Sequence, residues 1–271
     1  LERACNYLLK HSKGHFSYTS TNVLYKENFA QLLILEATGN PALVDYTHHD
    51  GSWNFFQGRG ILTTKEYPDD LDTTALALTI APDISEKTRH RVMDEMLQYR
   101  NKDRIIQTYF DHSRRRIDPI VCINVLTLFY LNGRGAELSE SLEWVFNILQ
   151  CREYLNGTYY YVTAECFLYF FSRLLSTMID VSATTMKSFR EAVRERFGMP
   201  GDGLTISMRI LAAASVGLYN HSDISTLFKL QNQDGSFEGY VYKYGTTGIL
   251  IGNRGLATAL AVDAIQTIFS P

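Results

Sequence analysis

The run Tyr67-Pro68-Asp69-Asp70-Leu71-Asp72-Thr73-Thr74 packs three carboxylates into four positions, directly ahead of an apolar stretch. Like charges that close resist ionising together, so one of them can be left holding a proton. In a dry setting that makes a proton donor. A helix N-terminus would pull the other way by favouring the anions. A solvated turn ending in an aspartate cap is the plain alternative. Asp118, in Arg114-Arg115-Arg116-Ile117-Asp118-Pro119, likewise stands before an apolar helix, which would aim it at the same end of the molecule. It reads equally as a cap ahead of Pro119. The three arginines could pair with this acidic rim or hold a diphosphate, or form a solvated basic run. His112 could tune a nearby carboxylate or be satisfied within its loop. Tyr67, Tyr109, Phe110, Tyr159, Tyr160 and Tyr161 could turn ring faces toward a cation, or pack as core and rim. Glu165 in AECFLYFF and Arg209 in ISMRILAAAS are charges within apolar runs and need partners. They could pair across a cavity or reach the surface by their stems.

Such residues need a frame, and the apolar runs supply a repeating one. Runs beginning at Glu27, Asp70, Asp118, Tyr160, Gly203 and Gly252 recur every 42 to 49 residues. A unit of that length holds two helices and their connections. The runs near Gly203 and Gly252 are apolar nearly all round, so they need burial on several sides. The stretches from Ser85, Glu137 and Thr184 have one apolar stripe and a charged face, the pattern of outer helices. Gly39, Gly133, Gly198 and Gly217 stand where helices stop, as does Pro82. The reading is all-α: an (α/α)6 barrel of six inner and six outer helices, one domain over residues 1–271. An open superhelix is the competing architecture.

Composition narrows the class. The 271 residues include 26 Lys and Arg against 29 Asp and Glu, a net charge of −3, which argues against nucleic acid as a partner. No run of 18 apolar residues marks a stable membrane span. The four cysteines are scattered, with neither a disulfide framework nor a metal-ligand pair, and suit a reducing compartment. A cytoplasmic or peripherally membrane-associated location is expected. The chain begins with Leu1, so trimming or an upstream domain stays open.

Asp70-Leu71-Asp72-Thr73-Thr74 resembles the aspartate-rich DxDD motif of class II terpene cyclases and squalene–hopene cyclases, in a DxDTT variant similar to that of drimenyl-type cyclases. Two further segments resemble that family's QxxDGxW turn: His48-His49-Asp50-Gly51-Ser52-Trp53 and Gln231-Asn232-Gln233-Asp234-Gly235-Ser236-Phe237. The resemblance implies the toroidal fold that class II cyclases share with protein prenyltransferases. It implies Asp72 as general acid with Asp70 beside it; Asp118 joins them as a catalytic candidate by its parallel position at a helix start. Tyr67, Tyr109, His112, Tyr161, Glu165 and Arg209 are the accompanying candidates for contact with substrate. The substrate implied is a small hydrophobic isoprenoid or meroterpenoid whose alkene or epoxide is protonated and cyclised. Thr73 replaces the family's last Asp.

Alkene protonation needs no cofactor; Mg²⁺ could accompany a diphosphate substrate. The family usually encloses substrate between two helical domains. A self-contained cavity, a homodimer interface or a further helical domain are the options here. Two other functions stay open: a metal-dependent prenyl-diphosphate enzyme using the DDxD stretch, and a non-catalytic toroid that binds a hydrophobic ligand. No Asp/Cys/His zinc constellation is evident, so metal ligands are expected to be none.

Overall fold

The computed structural model describes residues 1–64 and 66–269. Six strongly buried helices start near the six predicted positions: α2 (Asn28–Thr38), α3 (Leu71–Ile80), α5 (Pro119–Leu131), α7 (Ala164–Thr177), α9 (Gly203–Ala214) and α11 (Arg254–Phe269). Each packs on the next in this order, and α11 packs back on α2, so the set closes. Every one begins with a side chain that accepts a first-turn N–H: Glu27, Asp70, Asp118, Thr163, Asp202 and Asn253. Such caps satisfy donors the helix cannot satisfy itself. The other end of α2 is closed by Gly39 at φ 61°, where its N–H reaches the Leu35 carbonyl.

Outside this ring lie α1 (Glu2–Lys10), α4 (Glu86–Met96), α6 (Ser139–Cys151), α8 (Ala183–Glu195) and α10 (His221–Lys229). That makes five outer helices among the described residues, where six were expected. The missing one falls between α2 and α3, where only a 3₁₀ turn, Pro41–Leu43, precedes a long irregular segment. Gly51, Gly58, Gly60 and Pro68 interrupt that segment, and it has no amphipathic stripe long enough for a helix.

The all-α expectation also needs correction. Strands β1 (Ser17–Thr19), β2 (Leu24–Tyr25), β3 (Tyr240–Lys243) and β4 (Leu250–Asn253) form an antiparallel sheet in the order β2-β1-β4-β3. The pairing of β1 with β4 sets Ser17 opposite Asn253 and Thr19 opposite Ile251, tying the first part of the chain to the last.

The two DG turns dock alike. Trp53 N donates to Thr74 Oγ1 at 2.8 Å, and that hydroxyl donates to the Asp70 carbonyl at 2.6 Å. Phe237 N donates to Thr258 Oγ1 at 3.0 Å, and that hydroxyl donates to the Arg254 carbonyl at 2.7 Å. In both, a buried aromatic residue is fastened to a threonine in the first turns of an inner helix. Gly235 sits at φ 92°, where an added Cβ would meet the Arg3 carbonyl; Gly51 has no such constraint.

Candidate active site

A cavity of about 320 Å³ opens where the starts of α2, α3, α5 and α7 converge with β3 and β4. Phe29, Val121, Tyr161, Tyr242 and Ile251 form deeper wall, together with Asp70, Asp72 and Thr73. Phe55, Phe56, Tyr67, Tyr109 and Tyr160 extend the aromatic lining. The mouth is bounded by Leu62–Thr64, Arg114, Arg116, Tyr159 and Gly245–Thr247. The rings are locked edge to face: Phe29 against Tyr242 at 5.6 Å, and Phe55 against Tyr242 at 5.4 Å.

Asp72 lies in the first turn of α3, buried at the cavity wall. Its Oδ2 accepts the Tyr161 hydroxyl at 2.6 Å, and its Oδ1 accepts Asn124 Nδ2 at 2.7 Å. Asn124 Oδ1 in turn accepts Arg173 Nη1 at 2.9 Å, and Arg173 Nη2 donates to Glu36 Oε1 at 2.5 Å. Burial dominates and pushes the Asp72 carboxyl up to about 7, with the Asp118 charge adding to it. Tyr161, Asn124 and Arg173 act against that rise.

Asp70 caps α3: its Oδ1 accepts Thr73 N at 2.6 Å, while its Oδ2 is buried without a hydrogen-bond partner among the described residues. Burial, then the neighbouring Asp72, push Asp70 well above the usual carboxylate range. Asp69 faces elsewhere, accepting Ser52 Oγ at 2.5 Å and Asn54 Nδ2 at 3.1 Å. Asp118 caps α5 through Ile120 N at 2.9 Å and is also raised by burial. It acts on Asp72 through its charge and is not part of the cavity wall.

Three hydroxyls form a ladder along the wall. Tyr160 donates to Tyr109 at 2.9 Å, Tyr109 and Tyr67 share a hydrogen bond at 2.9 Å, and Arg116 Nη1 reaches the Tyr160 hydroxyl at 3.4 Å. The Arg114 and Arg116 guanidiniums lie over the Tyr109 and Tyr159 rings, at 5.8 and 4.9 Å.

Of the residues singled out in the sequence, Asp70, Asp72, Tyr67, Tyr109 and Tyr161 meet at this cavity. Asp118, turned to its helix cap, does not line it, and neither do His112, Glu165 and Arg209. His112 is exposed and stacks on Tyr99 at 4.5 Å, because its loop turns outward. Glu165 and Arg209 do pair, at 2.8 Å, but away from the cavity. Arg196 also bonds Glu165 at 2.9 Å, and Asp223 bonds Arg209 at 2.8 Å. This buried network ties the inner helices α7 and α9 to the outer layer at Arg196, which ends α8, and at α10. Asn124, Arg173 and Glu36 were not anticipated. Their signal was a polar side chain interrupting each of three apolar helices.

The fold as a whole is that of type II terpene cyclases. The type II terpene cyclase MstE from Scytonema superposes with a TM-score of 0.68 at 11% identity, covering 98% of this chain and 96% of that one. A variant of it in complex with geranylgeranyl dihydroxybenzoate gives 0.68 at 12% identity, covering 97% and 94%. A protein from Actinoplanes gives 0.71 at 15% identity, covering 99% and 98%. In sequence, residues 1–132 match the sesquiterpene cyclase astC-like C-terminal domain. The chain is a homologue of the drimenol cyclase drtB of Aspergillus calidoustus, 45% identical over 270 residues, covering 97% of this chain and 50% of the relative. It therefore spans about half the length of that curated relative.

Proposed function

We propose that this chain is a type II terpene cyclase in which Asp72 protonates an isoprenoid alkene or epoxide inside the aromatic cavity. The observation that carries this reading is the Asp72 carboxyl itself: buried, held near neutrality, and already facing two donors. Burial keeps the proton in place before reaction. Once it moves to the substrate carbon, Asn124 and the Tyr161 hydroxyl are both within reach to donate to the carboxylate. Burial and the neighbouring Asp72, which raise the Asp70 carboxyl, both work against a second negative charge beside that anion. The new carbocation is met by ring faces and little water while rings close. A proton lost from the final cation balances the one supplied, so the cyclisation is an isomerisation.

We read the architecture as a six-repeat α/α toroid, in one domain, whose second outer helix is replaced by the segment before Asp70. The neighbour that holds geranylgeranyl dihydroxybenzoate supports an isoprenoid or meroterpenoid substrate here, and the sesquiterpene cyclase match favours a fifteen-carbon chain. Arg114 and Arg116 at the mouth suit an anionic head group such as a diphosphate. The DDxD carboxylates fit a metal poorly. Asp69 is bonded to Ser52 and Asn54, Asp70 caps its helix through Oδ1, and Asp72 faces Tyr161 and Asn124, so the three carboxylates are held by different partners. Where the substrate is a diphosphate, Mg²⁺ would belong with that head group.

The test is mass spectrometry of products from farnesyl, geranylgeranyl and epoxidised isoprenoids, with wild type and Asp72→Asn compared at equal folded concentration. Wild type should give cyclic product. The variant should bind substrate equally and lose at least about a thousandfold in rate, since its amide has no acidic proton. Retained turnover in Asp72→Asn would remove Asp72 from the role, and loss in Asp70→Asn alone would transfer it to Asp70.

A further inference from the structure

The wall of the cavity is backed by a line of polar side chains that crosses the ring of inner helices. Glu36 near the end of α2, Arg173 on α7 and Asn124 on α5 connect in single steps to Asp72 on α3. Three of these are buried or nearly so, in helices built mainly from apolar residues. A charge placed there is costly, so the line needs a reason beyond packing.

The chemistry of the donors fixes the direction of every bond. A guanidinium can only donate, so the Asn124 oxygen must face Arg173. The Asn124 NH₂ must then face Asp72 Oδ1, which can only accept. A proton on Asp72 is therefore favoured on Oδ2, whose partner Tyr161 can accept as well as donate, over Oδ1, whose partner can only donate. We propose that Glu36 and Arg173 are positioning residues for the acid: the pair locks the Asn124 amide so that Asp72 holds its transferable proton on Oδ2, beside Tyr161. This rests on the reading of Asp72 as the proton donor.

The same line sets the charge that Asp72 feels. Asp70 on its own helix, Asp118 and Cys122 on α5, Tyr161 ahead of α7, Tyr242 on β3 and Arg173 on α7 are the ionisable groups around it. Arg173 is the cation of that set. Glu36 shields it from behind, with Tyr169 and Asp263 close to that pair. Removing the cation should make Asp72 harder to ionise; removing its shield should make it easier. An ion pair that merely clamps α2 to α7 would respond to both substitutions in one direction, as lost stability.

The experiment titrates Asp72 directly, by carboxyl infrared difference spectra taken against Asp72→Asn, in wild type, Arg173→Met, Arg173→Lys and Glu36→Gln. Arg173→Met should move the midpoint up by about one pH unit and Glu36→Gln should move it down, with Arg173→Lys near wild type. Product formation from farnesyl diphosphate should lose its activity at correspondingly higher and lower pH, with kcat changed more than KM. Because Glu36 is partly exposed, Glu36→Gln keeps the test alive if Arg173→Met fails to fold. Midpoints that stay put, or that move the same way, would overturn the positioning role. Shifted midpoints without product from any isoprenoid would leave that role intact and overturn the cyclase reading.

Discussion

Asp72 stores a conflict that pH can expose. The folded protein holds its proton up to about pH 7, whereas an ordinary aspartate releases it near 3.8. Stability that depends on the proton is thus fully present below the lower value and is lost as pH rises through the upper one. The Asp72→Asn amide reproduces the protonated pattern: its oxygen can accept from Asn124 and its NH₂ can donate to Tyr161. The substitution should change the melting temperature little at pH 4 and raise it at pH 8, by on the order of 1–4 kcal/mol of stability. Thermal melts at the two pH values check this, and equal shifts at both would contradict it. Asp70 and Asp72 were legible in the sequence because three carboxylates in four positions stand out. Asn124 was not, since one amide in an apolar helix does not reveal which wall it faces. Glu165 and Arg209 misled for the opposite reason. Inner helices bury side chains on their outward face too, and a charge there pairs with the outer layer, not with the cavity.

The inner helices were readable because each is a largely apolar run opened by a capping side chain, a signal repeated over two or three turns. The strands were not, because segments of two to four residues are too short to establish an alternation. One of the pairings, β1 with β4, also joins residues more than 200 positions apart, as Ser17 and Asn253 are. At this scale the Arg196–Glu165–Arg209–Asp223 network joins inner to outer helices, and its value should be structural. Glu165→Gln leaves Arg209 with one carboxylate partner in place of two, inside a dry layer. Breaking a buried pair in this way should cost about 3 kcal/mol or more. Urea unfolding should show that loss, while the product made per folded molecule stays as in wild type. An altered product distribution would instead connect this network to the cavity.

At the scale of the whole molecule, the proposed chemistry requires that a reacting cation be enclosed. The ring of inner helices closes on itself, β1 and β4 join its first and last parts, and one chain supplies the cavity's whole described lining. The mouth is bridged as well: the Tyr244 hydroxyl donates to the Ile61 carbonyl at 2.7 Å, linking the segments on its two sides. The solved type II cyclase is covered to 96% of its own length, so its fold too is accounted for by this one unit. The drimenol cyclase is about twice as long, which raises the opposite expectation that other parts of such a protein complete the site. The two differ in a measurable way. If the cavity is self-contained, residues 1–271 alone should form cyclic product, and the rate per protomer should be constant across a hundredfold range of protein concentration. If the proton comes from Asp72, a substrate without a diphosphate should be turned over equally in the presence of a metal chelator. A rate per protomer that climbs with concentration would point to a shared site between copies. Activity that appears only when a longer chain is supplied would point to a second domain. Loss of turnover on chelation with such a substrate would return the DDxD carboxylates to a metal-binding role, against their separate hydrogen-bond partners.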